Sequence, residues 1–266
     1  MKIYITTITV LLFSATITLG QNIPTNTNLR DEKGRKQGVW CKLYKNGEPA
    51  YTAKFKDDIP TDTLKRYTEK GTLKVVMIFD NTGKIATTTY LHPNGKRAAE
   101  GIFIGQQKDG IWKYYTPDTT ILMIEQYAKG KLNGIRKRFY TTGEIMEELS
   151  FSNGIKNGVW TTYFPNGRYK YSGVYKEGKL NGEMKTFYSN GRLVSEGNYK
   201  NGLKEGEWQF YNENGDPTQK VVYRNGIGNN KDKLDRKQTE QLLELEKNIG
   251  KIEEPSAEKV MEQMGY

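Results

Sequence analysis

The feature that most constrains this chain is a spacing. Counting from Gly158, equivalent positions recur every 24 residues without insertion at Gly38, Asp62, Ala86, Gly110, Gly134, Gly158, Gly182 and Gly206. Nine residues after each of these positions zero stand Gly47, Gly71, Gly95, Thr119, Gly143, Gly167, Gly191 and Gly215, with Asn at Asn46, Asn94, Asn166, Asn190 and Asn214 just before. Seventeen residues after zero there is always an aromatic ring: Phe55, Phe79, Phe103, Tyr127, Phe151, Tyr175, Tyr199 and Tyr223. The column two after zero reads Trp40, Leu64, Thr88, Trp112, Arg136, Trp160, Met184 and Trp208, which accounts for all four tryptophans. A period in this range makes the chain a quasi-one-dimensional array and overrides any domain count from its length of 266 residues.

Each copy reads as a hairpin. Gly adopts the positive φ of a tight turn and Asn tolerates it better than most residues, so the Asn-Gly pairs mark turns between a strand out and a strand back. The returning strand alternates with period two, which in the sixth copy groups Tyr169, Tyr171, Gly173 and Tyr175 on one face. The outgoing strand alternates less cleanly, which suggests a bulge beside the turn. A second turn, such as residues 176–182, leads on, and no copy has room for a helix. The expected fold class is an all-β repeat array. It is an elongated, twisted antiparallel sheet of about eight tandem 24-residue hairpins over residues 37–226, followed by a helical tail. The rings and tryptophans are expected to form its shared core. The second and third copies, with Pro60, Asp62, Leu64, Ala86 and Thr88, are the weakest.

Flanking segments differ in kind. Residues 1–20 have one early charge, Lys2, then an apolar run from Ile8 to Phe13 and small or polar residues to Gly20, the pattern of a secretory signal peptide. No cysteine stands near Gln21, so a lipoprotein is not expected, and the protein is placed in a periplasmic or extracellular space. Residues 21–36 are a polar leader. From 227 the period stops; residues 231–252 read as an amphipathic helix with Leu234, Leu242, Leu245, Ile249 and Ile252 largely on one stripe. The tail is expected to fold back on the last hairpins as a cap, the alternative being a partner-binding helix.

Charge and chemistry bound the function. The formal charge is +10, with 34 Lys or Arg against 22 Asp or Glu in residues 1–226 and 7 against 9 in residues 227–266. A basic array favours an anionic partner. One histidine, His92, and one cysteine, Cys41, lie in different repeats and make neither a metal site nor a disulfide. No nucleophile, acid/base pair or phosphate loop is arranged for catalysis: Glu147-Glu148 and Glu253-Glu254 are merely adjacent. Catalytic, cofactor and metal residues are therefore not expected.

The runs GIWKYY, GVWTTYFPNG, GEMKTFYSNG and GEWQFYNENG resemble the MORN-variant repeat, over residues 38–226, and among its members the exported bacterial proteins of the YwqK-type antitoxin family. The resemblance implies tandem β-hairpins and interaction with a protein or a membrane surface. The function expected is that of an exported, non-catalytic scaffold that binds a protein partner, a second copy of itself included. One alternative is a binder of glycans or wall polymers using Trp40, Trp112, Trp160 and Trp208 as stacking platforms. The other is an immunity or antitoxin protein that occludes a toxin. Export argues against nucleic acid as a ligand.

Overall fold

The computed structural model describes residues 26–229. The expected signal peptide and the tail from residue 230 onward lie outside the described residues. Within them the chain forms one open antiparallel sheet of 20 strands, from Leu29–Arg30 to Ile227–Gly228, in which each hairpin strand pairs with the ones before and after it in the chain, and no helix. The number exceeds the sixteen strands of eight hairpins for two reasons. Two outgoing strands are interrupted, into Lys131–Leu132 with Gly134–Phe139 and Lys179–Leu180 with Gly182–Phe187, and a two-residue strand is added at each end.

The sixth copy shows the construction. Ile155–Tyr163 runs out and Tyr169–Lys176 returns, with Gly158 opposite Tyr175, Trp160 opposite Gly173 and Thr162 opposite Tyr171. The register then slips, so that Tyr163 faces Tyr169. Every one of the eight hairpins carries this slip beside its turn. An extra residue in one strand reverses the alternation beyond it. Tyr169, expected on the same face as Tyr171 and Tyr175, is instead 54% exposed while they are 2% and 7% exposed.

The Asn-Gly turn works differently from its sequence reading. Gly167 takes the positive φ, 77°, and its N–H donates to the Phe164 carbonyl at 2.9 Å; Asn166 has no left-handed backbone. What Asn166 supplies is its side chain. Its Oδ1 accepts from Arg168 N at 3.1 Å and its Nδ2 donates 3.0 Å to the Ser189 carbonyl in the turn of the next copy. Asn46, Asn94 and Asn190 make the same pair of bonds, to Glu48 and Glu69, Lys96 and Pro117, and Arg192 and Glu213. These amides tie consecutive turns into a ladder along one edge of the sheet. At the opposite edge two-residue turns such as Glu177-Gly178, both at positive φ, match the twist of the strands they join.

The leader is not wholly apart from the array. Leu29–Arg30 pairs with Lys36 and Gln37, and Asn28 exchanges hydrogen bonds with the backbone of Cys41 at 3.0 and 2.9 Å. The second and third copies belong to the sheet as Ile59–Tyr67 with Leu73–Phe79 and Ile85–Leu91 with Arg97–Ile104.

The contacts between copies alternate, which the 24-residue reading did not anticipate. In the first, fifth and seventh copies the hydroxyls of Tyr44, Tyr140 and Tyr188 donate to the carbonyls of Tyr67, Tyr163 and Tyr211 one copy on, at 2.9, 2.7 and 3.0 Å. His92 in the third copy takes the same place, with Nε2 3.0 Å from the Tyr115 carbonyl, so that this nitrogen carries the proton. In return the hydroxyls of Tyr115, Tyr163 and Tyr211 donate to the carboxylates of Glu100, Glu148 and Glu196 at 2.6, 3.0 and 2.7 Å. The structural unit is thus two copies, 48 residues, with His92 a packed side chain 3% exposed.

Candidate interaction faces

One face of the sheet carries the core. Trp112, Trp160 and Trp208 are 0%, 4% and 2% exposed, and Trp40, at the N-terminal end, is half-buried. Of the ring column, Phe151 and Tyr175 are buried and Phe55, Phe79, Phe103, Tyr127, Tyr199 and Tyr223 half-buried. The tryptophans bridge rings. Trp208 meets Tyr199 of the copy before and Tyr223 of its own copy edge-on, with centroids 5.3 and 6.1 Å apart, and Trp112 meets Phe103 at 5.0 Å. Such pairs add about 1 kcal/mol each beyond their buried area.

Close packing explains two glycines away from turns. A Cβ on Gly197 would stand 2.3 Å from the Trp208 ring, and one on Gly101 2.3 Å from Trp112, so each indole lies flat on bare backbone. Both indoles then donate from Nε1 to a carbonyl of the preceding copy, Asn198 and Ile102, at 3.1 Å. Trp160 follows Leu149 instead and is turned: it stacks on Tyr171 at 5.7 Å and donates to Glu147 Oε1 at 3.0 Å.

A lysine stands four residues before every tryptophan, at Lys36, Lys108, Lys156 and Lys204, a regularity present in the sequence itself. Lys36 lies over Trp40 and Phe55, Lys108 over Trp112, Tyr114 and Tyr127, and Lys204 over Trp208, Phe210 and Tyr223, at 4.5–5.7 Å from the ring centroids. Lys156 covers Tyr175 at 5.2 Å. The stems close the apolar face and the ammonium groups sit on the negative ring faces.

Where Arg136 replaces Trp in the fifth copy, charge enters the core. Arg136 is 4% exposed and pairs with Glu147 at 3.2 Å; Glu147 also accepts from Trp160, with Arg138 at 3.9 Å. Glu125, 2% exposed, accepts from the Tyr127 hydroxyl at 2.7 Å. Burial, reinforced by the Glu125 charge, drives the Tyr114 hydroxyl far above its ordinary range. Both acids are hydrogen-bonded within the core, and burial pushes the Cys41 thiol up.

The other face is open. Ile78, Ile111, Ile135, Ile155, Val159 and Val174 are 54%, 54%, 44%, 53%, 58% and 37% exposed. Val159 and Val174 are direct cross-strand partners, and Ile155 precedes Val159 on the same strand. The exposed lysines Lys131, Lys176 and Lys179 flank this aliphatic strip. Beta-branched residues favour strands, which accounts for single exposed cases such as Ile78, but the run from Ile111 to Val174 through the fourth, fifth and sixth copies is apolar surface arranged in a row. Among the described residues no group of three or more His, Cys, Asp or Glu is placed to hold a metal.

The indoles of Trp112, Trp160 and Trp208 are covered, so they offer no stacking platform to a sugar; the turn glycines Gly47, Gly71, Gly95, Gly143, Gly167, Gly191 and Gly215 all take positive φ at the Asn-ladder edge.

No curated protein matches the chain. Among solved structures, a crystal structure of TcdB2-TccC3-TEV shares 11% identity over 74% of this chain and 12% of its own, with a TM-score of 0.19. A crystal structure of TcdB2-TccC3-Cdc42 shares 9% identity over 73% of this chain and 12% of its own, with a TM-score of 0.17. This chain therefore spans about 12% of the length of those chains. The fifth to eighth hairpins carry a family signature: residues 132–153, 156–177, 180–201 and 204–225 each match the MORN repeat variant.

Proposed function

We propose that this protein is an exported, non-catalytic scaffold that binds a protein partner through the open face of its sheet. The observation that carries the reading is the aliphatic strip of Ile111, Ile135, Ile155 and Val159, each at least 44% exposed on a face opposite a filled core and flanked by lysines. The partner that fits is a protein surface with apolar side chains and an acidic rim. The apolar strip supplies burial and the lysines steer approach. MORN-type repeats are interaction repeats, which agrees with this use, and the residue pattern of positions 1–20 supports export. An immunity role would use the same face, the toxin being the partner.

The test compares the wild-type protein with Ile135→Glu and Val159→Glu in crosslinking capture from the cell envelope. Both side chains point to solvent, so the variants should keep the wild-type circular dichroism and melting temperature. Loss of one dominant captured protein by both variants is the expected result. Capture that is unchanged in both would refute the assignment of this face.

A further inference from the structure

The open face carries three rows that run along the array, at right angles to its strands. In the middle one, Lys137, Glu148, Thr161, Ser172, Lys185 and Glu196 are consecutive cross-strand partners through the fifth, sixth and seventh copies. On the Asn-ladder side stands an apolar row of Phe139 with Ile145, Tyr163 with Tyr169 and Phe187 with Leu193, in which the Tyr169 ring lies 5.4 and 5.9 Å from those of Tyr163 and Phe187. On the other side runs the aliphatic strip, with Val159 opposite Val174. The Tyr163 hydroxyl reaches Glu148, so the middle row and the aromatic row share one face. The charges of the middle row are antisymmetric about the small, uncharged pair Thr161 and Ser172: outward on one side come Glu148 and then Lys137, and on the other Lys185 and then Glu196. The same row turned end for end sets each of these charges against its opposite.

Given that this face is the docking face, as proposed above, we infer that its middle takes a second copy of this chain, packed about a twofold axis that runs parallel to the strands between Thr161 and Ser172. Rotation about that axis lays each row on its own kind and reverses the order along it. Lys137 then meets Glu196 of the second copy and Glu148 meets its Lys185, while Tyr163 meets Tyr169 and Val159 meets Val174. The other twofold axis in the plane of the face runs along the array and would set Lys137 on Lys137 and Glu148 on Glu148, a juxtaposition that like charges penalise. The charge order therefore selects one axis. The match ends one hairpin further out, where Ile124 and Gln209 are followed by Lys113 and Lys220, which would fall on each other. The contact is thus confined to six strands, about 29 Å at 4.8 Å each, and about 20 Å across the three rows. That is roughly 600 Å² per copy and about 1,200 Å² in total, the lower end of a specific interface. Twisted sheets pack face to face in such an aligned manner, and a self-complementary contact of this kind closes at two copies.

The test is sedimentation velocity of the full chain over about a hundredfold range of concentration, across which the wild type should pass from monomer to dimer. Lys137→Glu with Lys185→Glu makes the matched row wholly acidic and should leave a monomer at concentrations where the wild type is dimeric, with the circular dichroism unchanged. Lys113→Glu lies outside the matched strands and removes the Lys113–Lys220 encounter, so it should dimerise at least as well as the wild type. Spin labels read the axis directly. In a Cys41→Ser background, nitroxides at Ile155→Cys, on the strand beside the axis, should lie within about 20 Å of their mates, and those at Thr87→Cys, far along the array, beyond about 40 Å. A wild type that stays monomeric over the whole range, a dimer indifferent to the double charge reversal, or label distances that do not differ would overturn the inference. If the wild type is monomeric yet Ile135→Glu loses the captured envelope protein, the docking face stands and the dimer alone fails; dimerisation with capture unchanged removes the foreign partner alone.

Discussion

The hydroxyl of Tyr163 donates to Glu148 Oε2 at 3.0 Å while the carbonyl of the same Tyr163 accepts from Tyr140 at 2.7 Å, so one residue of the sixth copy is gripped twice by the fifth. Tyr115 and Tyr211 are held in the same way by the third and seventh copies. The pairs of copies are the cooperative joints of the array.

Those joints give a pH dependence. Burial first, and then the hydrogen-bonded carboxylates of Glu148 and Glu100, push the Tyr163 and Tyr115 hydroxyls up to about 12. A group whose folded pKa is raised stabilises fully below its unfolded value, about 10 for Tyr, and that stability is lost as pH rises through about 12. The melting temperature should fall between about pH 10 and 12, and more gently in Tyr163→Phe with Tyr115→Phe. A phenolate absorbance titration in which every tyrosine ionises near 10 would disprove this.

The acid side carries the opposite sign. Bonding from Lys137 outweighs burial and holds the Glu148 carboxyl below its ordinary value; at Glu100 burial pushes up, but Tyr115 and Arg97 outweigh it. Stability from these groups is present above the unfolded carboxyl value and is lost as pH falls through the depressed folded one. Glu148→Gln should flatten the acid limb of the melting curve below about pH 4.

The turn ladder has an internal control. Asn190 bonds both within its turn and to Glu213 of the next copy, whereas Asn214 occupies the same place in the last copy. Asn190→Ala should cost about 1–2 kcal/mol, the worth of two ordinary hydrogen bonds, and Asn214→Ala under about 0.5 kcal/mol. Urea unfolding of the two variants measures the difference.

Gly197→Ala forces a methyl into the Trp208 ring and should destabilise by about 1–3 kcal/mol. Pairing it with Trp208→Leu should recover part of the loss, because the first and second copies already combine Ala53 with Leu64 across neighbouring strands. A double variant less stable than Gly197→Ala alone would show that the clash is not the cause.

Arg136→Ala leaves Glu147 buried beside Trp160 and should cost about 3 kcal/mol or more. Arg136→Met with Glu147→Leu removes both charges and should sit within about 1 kcal/mol of wild type, since a well-packed apolar pair often replaces a buried ion pair without loss.

The period, the hairpins and the core columns were legible because glycine, asparagine and aromatic rings recur at fixed offsets that a sheet must honour. The face of Tyr169 was not, because a slipped register reverses the alternation and the eye counts in twos. The doubled period could have been read five residues after zero, where Leu43, Leu91, Phe139 and Phe187 alternate with Tyr67, Tyr115, Tyr163 and Tyr211. A search for residues shared by every copy passes over a difference shared by every second one. The open aliphatic strip gave no signal of its own, since Ile and Val are ordinary strand formers and only the filled opposite face shows that these side chains have no core to enter.

Alternation gives the array a parity. Excising one hairpin would bring two copies of the same kind together, Leu or Phe facing Leu or Phe at the joint, or tyrosine facing tyrosine with no acid to receive it. Excising a pair would rejoin matching ends. Lengthening or shortening in blocks of 48 residues keeps every joint matched, so the length of such an array is quantised in steps of two hairpins.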